Sequence, residues 1–293
     1  MNLYYSGVQN PKMKNYQHLI LIITIVSLLV LLLTYYVQNN IISIENFEIT
    51  AVPNQNAEII PKNIIQIWID FDKKLTKNMD YPASYKSYVK TIKERNPTYN
   101  YMFFNEAKIE EFLKTSYPEY YVTYTKLPVN IQKVDFFRYV AMYHYGGFYF
   151  DLDITGLEPL DELLSYECVF PIDNFINPDM CSANRYKEYC KKNMDFLLGQ
   201  YAFACKPKHP FIRTLIEGIH KDINTYIQRF QNKKYEVFED YVYETTGPDF
   251  VTNMYMTYPK KESITILEYP ERQYFGKYAR HSYKGSWKEN VQN

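Results

Sequence analysis

"YGGFYFDLDI", Tyr145 to Ile154, decides how this chain of 293 residues folds. Two glycines lead into an aromatic run that ends in two aspartates separated by one leucine. On an extended strand, Asp151 and Asp153 at i and i+2 leave the backbone on the same face. Like charges on one face repel unless a positive charge lies between them or one is protonated. A divalent cation with oxygen ligands is the simplest answer to that repulsion.

The residues around this stretch supply its context. In "LPVNIQKVDFFRYVAMYHYGG", Ile131, Val134, Phe137, Ala141 and Tyr145 recur at helical spacing, and Gly146-Gly147 ends the helix. Upstream, "PKNIIQIWID" (Pro61 to Asp70) predicts a buried strand. A helix follows and ends at Asn96-Pro97, then a strand at "TYNYMFF" (Thr98 to Phe104), then a helix capped by Asn105. This alternation predicts an α/β fold, a single domain with a mainly parallel central sheet flanked by helices. The two aspartates then sit beyond the carboxyl end of a strand, where open sheets bind ligands. Downstream, "ECVFPID", "QYAFACKP" and "SITILEYP" read as strands and His209 to Phe230 as a helix. Phe175 to Met194 is polar and irregular, a candidate loop over the site.

Charge balances at 33 basic and 33 acidic residues, which speaks against a nucleic-acid partner. "LILIITIVSLLVLLLTYYV", Leu19 to Val37, carries no charge. At about 1.5 Å per residue it reaches roughly 28 Å, close to a bilayer core. Lys12 and Lys14 precede it and Glu45, Glu48 and Glu58 follow, which orients a single-pass type II anchor with its N-terminus in the cytosol. A core helix and a cleaved signal peptide are the alternatives. The predicted organisation is a cytosolic tail (1–18), a transmembrane helix (19–37), a stem (38–60) and a lumenal globular domain (61–293). A Golgi- or ER-like membrane fits, including a host membrane holding a viral or protozoan protein. The four cysteines match no zinc spacing; Cys181 with Cys190 is a candidate bridge, against buried free thiols.

A resemblance enters with Asp135-x-x-Arg138-Tyr139, then Tyr145-Gly146-Gly147-x-Tyr149-x-Asp151-x-Asp153, then Pro159-Leu160-Asp161. Together these blocks resemble the DXD-motif glycosyltransferases, nearest to glycosyltransferase family 32. That family holds the fungal Golgi mannosyltransferases that initiate outer-chain mannan, and capsular-polysaccharide transferases. "IPKNIIQIW", "QYAFACKPKHPF", "TGPDF" and "HSYKGSW" resemble the family's opening, central and closing motifs, in order, over nearly all of the chain after residue 60. The resemblance implies a GT-A-like fold. It also implies retaining transfer of a hexose, most like mannose, from a nucleotide-diphosphate sugar to a glycan, glycoprotein or glycolipid acceptor. A nucleotide-sugar hydrolase and an inactive glycan-binding relative are the alternatives.

A departing diphosphate leaves negative charge that Mn²⁺ or Mg²⁺ held by Asp151 and Asp153 can stabilise. The family implies that Asp153 ligates the metal directly and that Asp151 helps through ribose or water contacts. It places Asp135 near the sugar hydroxyls or ribose and Arg138 near the sugar or phosphate; without it, the pair would read as a surface ion pair. His281 is a further candidate metal ligand, against a frayed tail. Ser286 and Trp287 are candidates to close over the diphosphate, and Trp68 to stack on the base, against a core tryptophan. Thr246-Gly247 reads as a tight polar turn near a sugar. His209 and His144 read as structural.

Overall fold

The computed structural model describes residues 24–32, 58–70, 80–235 and 237–289. The chain falls into two compact units, Met1–Gln55 and Asn56–Asn293. In the first, residues 24–32 are helical and exposed. The rest of the expected anchor, the tail and most of the stem lie outside the described residues. No described helix is long and apolar enough to cross a membrane.

The second unit is an α/β domain around a seven-stranded sheet. Its strands are β1 (Asn63–Trp68), β2 (Asn100–Asn105), β3 (Gly147–Phe150), β5 (Cys168–Phe175), β6 (Phe196–Leu198), β7 (Ala202–Cys205) and β8 (Thr265–Leu267). The order is β2-β1-β3-β7-β5-β6, with β8 also on β5. Only β6 and β7 run against the other five, so the sheet is mainly parallel, as the alternation predicts. A second, antiparallel sheet joins β4 (Ile154–Gly156), β9 (Tyr274–Phe275) and β10 (Ala279–His281) in the order β4-β10-β9.

Nine helices complete the described part of this unit: α1 (Lys86–Arg95), α2 (Glu106–Ser116), α3 (Pro118–Lys126), α4 (Asn130–Tyr145), α5 (Asn184–Lys191), α6 (Pro210–Gln231), α7 (Phe238–Thr245), α8 (Pro248–Thr257) and α9 (Ser286–Glu289). Alternate residues of the strands bury on opposite faces, so the sheet is covered on both sides. Ile65, Ile67, Tyr149, Phe170 and Phe203 pack with α4 and α6. Ile64, Phe148, Phe150, Val169 and Ala204 pack with Ile92 of α1 and with Phe275 and Ala279 of the small sheet. Helix α4 therefore lies deep, and ten of its residues are buried, Asp135 and Arg138 among them.

Two local expectations change. The strand after the glycines stops at Phe150, and Asp151 to Asp153 form a turn closed by the Ile154 N–H on the Asp151 carbonyl at 3.2 Å. The aspartates are thus not spaced along one face of an extended strand. Leu152, in the middle of the turn, buries with Tyr85 and Val89 in a small cluster that also packs Trp68 and Tyr101, and this contact holds the bend. The stretch from Phe175 to Met194 is ordered by a 3₁₀ turn, α5 and a Cys181–Cys190 disulfide, and none of its residues lines the cleft described below. Cys168 and Cys205 are buried free thiols.

Gly147 is where the sheet demands glycine. Its φ is +108°, and an added Cβ would lie 2.4 Å from the Asn63 carbonyl oxygen of the adjacent β1. Backbone strain and a backbone clash act together there. Gly147→Ala is expected to lower stability by about 3 kcal/mol, seen as a fall in the urea midpoint. A midpoint equal to wild type would show that β1 and β3 can separate without penalty.

Candidate active site

The sheet's carboxyl edge carries the site. Trp68 ends β1 and Asp151 follows β3; β1 and β3 are parallel, so both residues leave from the same edge. Strand β7 runs the other way, which brings its entry, Gln200-Tyr201, to that edge too. The C-terminal segment crosses from β10 into α9. One cleft gathers Trp68, Tyr85, Asp135, Arg138, Asp151, Asp153, His281 and Trp287. Ser286 opens α9, but its side chain is outside the described set.

The wall of the cleft is a buried ion-pair network centred on Arg138, which is 3% exposed. Its guanidinium lies 2.9 Å from Asp135 Oδ1 and 3.4 Å from Asp151 Oδ1, and it donates to the Gln200 carbonyl at 3.0 Å. The Tyr149 ring lies under it at 4.6 Å, and the Tyr149 hydroxyl donates to Asp151 Oδ1 at 2.6 Å. Asp135 accepts from the Thr246 hydroxyl at 2.7 Å and from the Gln200 amide at 3.3 Å. The Tyr139 hydroxyl donates to the Gln200 side chain and to the Thr246 carbonyl. The expected Thr246 turn therefore meets Asp135. Burial pushes the Asp135 carboxyl up to about 6, against the pull of Arg138, Thr246 and Gln200.

Nearer the mouth, Asp151, Asp153 and His281 each offer one ligand atom, and these atoms lie within 4.8 Å of one another. His281 Nε2 is 3.1 Å from Asp153 Oδ1, and the Lys284 N–H donates to Asp153 Oδ2 at 2.8 Å. The His281 ring stacks on Tyr201 with centroids 4.7 Å apart, and its Nδ1 is buried without a hydrogen-bond partner. Burial raises Asp151, and although it also acts to raise Asp153, the hydrogen bond and charge of His281 hold Asp153 below its usual range. Burial opposes charge on His281 too, but the hydrogen bond and charge of Asp153 outweigh it and raise the imidazole above its usual range. Two carboxylate oxygens and an imidazole nitrogen make a donor set that fits Mn²⁺.

Trp68 packs on Tyr85 with ring centroids 5.3 Å apart. Trp287 meets Tyr243 edge-on at 6.1 Å. His209 accepts from the Phe211 N–H where α6 begins, the helix-entry role expected of it. Residues that sequence reasoning missed include Gln200, Tyr201, Tyr149 and Asp173. Asp173 on β5 is half-buried and lines the cleft, and burial raises its carboxyl. Its only signal in the sequence was a charge at the end of the apolar run "ECVFPID".

Residues 82–170 match the model of a family described as "Glycosyltransferase sugar-binding region containing DXD motif". That segment holds Asp135, Arg138, Asp151 and Asp153. Residues 82–170 belong to the DXD-motif glycosyltransferases. Inositol phosphoceramide mannosyltransferase 1 of Schizosaccharomyces pombe is 27% identical over 71% of this chain and 55% of its own length. Initiation-specific alpha-1,6-mannosyltransferase of Candida albicans is 27% identical over 75% and 57%. Inositol phosphoceramide mannosyltransferase 3 of S. pombe is 35% identical over 39% and 29%. The chain thus spans little more than half the length of the curated relatives it matches, and less of some. Among solved structures, the PaToxG glycosyltransferase is similar at a TM-score of 0.43 and 16% identity, over 78% of this chain and 82% of that one.

The DXD-motif segment carries a pH signature. Between the ordinary carboxylate range and about 6, the folded protein keeps a proton on Asp135 that the unfolded chain releases. Stability from this residue therefore falls as pH rises through that window. Asp135→Asn lacks the slope. Urea unfolding from about pH 4 to about pH 6.5 is expected to cost wild type up to about 3 kcal/mol relative to the variant. Parallel curves for the two proteins would show that Asp135 ionises normally.

Proposed function

We propose that this chain is a metal-dependent glycosyltransferase that moves a hexose, mannose by analogy with its relatives, from a nucleotide-diphosphate sugar to a glycan or glycolipid. The observation that carries this reading is the gathering of Asp151, Asp153 and His281 beside the Asp135–Arg138 pair in one cleft, within and next to the DXD-motif segment. The relatives favour mannose: one is named for inositol phosphoceramide and another as an initiation-specific alpha-1,6-mannosyltransferase.

Asp151, Asp153 and His281 would hold Mn²⁺ or Mg²⁺. Bound there, the ion supplies Lewis-acid stabilisation of the departing diphosphate. Arg138 adds a fixed positive charge, positioned in advance by Asp135, Asp151 and the Gln200 carbonyl. Trp68, on the Tyr85 ring, offers an aromatic face to the base. Trp287 and Ser286 are placed in this reading at the diphosphate. Transfer with retention follows if the leaving phosphate oxygen takes the acceptor's proton while the acceptor attacks the same face, so no general base of the protein is invoked. The domain from residue 61 would stand on a stem and a type II anchor, on the lumenal side of a Golgi- or ER-like membrane.

A donor screen tests the reading. The full chain, solubilised, is incubated with GDP-mannose, UDP-glucose, UDP-galactose and UDP-N-acetylhexosamines, with Mn²⁺ or with chelator, and nucleotide release is measured. Release from GDP-mannose that requires Mn²⁺ is expected, with loss of at least about 100-fold in Asp153→Ala, the scale of removing a charge-stabilising group at a transition state. Full activity of that variant, or release unaffected by chelator, would end the metal assignment. A rate that no acceptor glycan changes would identify a hydrolase instead.

A further inference from the structure

The cleft holds a fourth carboxylate that neither the ion-pair network nor the metal-ligand group uses. Asp173 lies near the end of β5, where the pairing with β6 slips. Ile172 faces Leu198 but Asn174 faces Leu197, so Asp173 is the extra residue of a β-bulge. Bulges re-aim a side chain, and they recur beside active sites. Here the bulge turns a carboxylate into the cleft and leaves it half-buried, with no hydrogen bond or ion pair to any described residue. The charges of His281, Arg185, Arg272 and Lys288 act on it without contact, so its oxygens keep room to accept from a ligand.

Its place in the sheet says which donor. Along the site-bearing edge the strands run β1, β3, β7, β5, and they bring Trp68, Asp151, Tyr201 and Asp173 to that edge in that order. At about 4.8 Å per strand, Trp68 and Asp173 stand roughly 14 Å apart, with the candidate metal ligands between them. A nucleotide sugar with its base at Trp68 and its diphosphate at Asp151 and Asp153 thus has its reactive end toward Asp173. Tyr283, which feels the Asp173 charge, and Tyr243 beside it line the cleft, and such faces take the apolar side of a pyranose ring.

We propose that Asp173 orients the acceptor: it accepts a hydrogen bond from the incoming sugar, whose ring lies on the Tyr243 and Tyr283 side. This rests on the glycosyltransferase reading above. In the step it serves, the acceptor oxygen bonds to the donor's anomeric carbon as the bond from that carbon to the β-phosphate oxygen breaks. The electron pair leaves with the phosphate, and the acceptor's proton passes to that phosphate oxygen. Asp173 takes no proton; it fixes the attacking group through a second O–H. Water is the smallest acceptor and is held the same way, by its remaining proton.

That last point gives a test that needs no known glycan. With Mn²⁺ and GDP-mannose, or whichever nucleotide sugar of the screen wild type consumes, release to water is followed as a function of donor concentration. Asp173→Ala is expected to lower kcat about 30-fold while the donor KM moves less than about threefold, as for loss of an interaction made to the attacking group. Asp173→Asn, nearly isosteric and still an acceptor, is expected to lose about fivefold and serves if the alanine variant does not fold. A kcat within threefold of wild type in the alanine variant, or in Asp173→Asn no change at all, overturns the proposal. So does a donor KM that rises in step with the loss, which would put Asp173 on the donor. Wild type that releases nucleotide from no donor with Mn²⁺ defeats the underlying glycosyltransferase reading, a failure distinct from these.

Discussion

Arg138 is the constraint on which the rest of the domain depends. A guanidinium 3% exposed is tolerable only if its charge is matched, and here both terminal nitrogens are partnered while the Nε is buried without a hydrogen bond. The matching groups come from separate parts of the chain: Asp135 from the same helix, Asp151 from the turn after β3, and a carbonyl from the entry to β7. Asp135 in turn needs Thr246, at the end of α7. Removing any one member leaves a buried charge or donor unpaired, so α4, β3, β7 and α7 are fixed relative to one another by one polar cluster as well as by packing. Apolar residues of the right volume would fill this space with less electrostatic risk. What the ion pairs add is a positive charge held still at the cleft wall, beside the two aspartates.

The same cluster explains which parts of the site were legible in the sequence. Asp135 and Arg138 stand three apart on a helix, and Asp151 and Asp153 two apart after an aromatic run, so their proximity is local and spacing reveals it. The order of strands through residue 150 and of every helix but α3 is equally local, and the α/β class follows from it. Gln200 and the pairing of Thr246 with Asp135 are different. They arise only because β7 runs antiparallel to β3 and because α7 ends against α4, and neither contact has a spacing signal. Asp173 was hidden for another reason: an ordinary alternation over "CVFPIDNF" does not announce a bulge, which depends on the partner strand's register.

The turn at Asp151–Asp153 shows how an extended reading can reach the right chemistry by the wrong geometry. In a strand, i and i+2 side chains stand parallel about 7 Å apart. The turn instead converges the two carboxylates with His281 to ligand atoms within 4.8 Å of one another. The residue between the aspartates, Leu152, holds the bend through its burial with Tyr85 and Val89. A hydrophobic contact thus supports the geometry of the charged pair.

Asp153 and His281 complete the logic of that convergence. The β10–β4 ladder sets His281 opposite Ile154, one residue beyond Asp153, and Tyr201 stacks under the ring. The Ser282 N–H donates to the Asp153 carbonyl and the Lys284 N–H to its carboxylate, so the C-terminal segment is tied to the DXD turn by backbone as well as side chain. The pairing holds the Asp153 carboxyl below its usual range and the imidazole of His281 above its own. The strap that carries His281 is bound to the turn through its backbone as well, so the gathering of Asp151, Asp153 and His281 rests on more than that one pair.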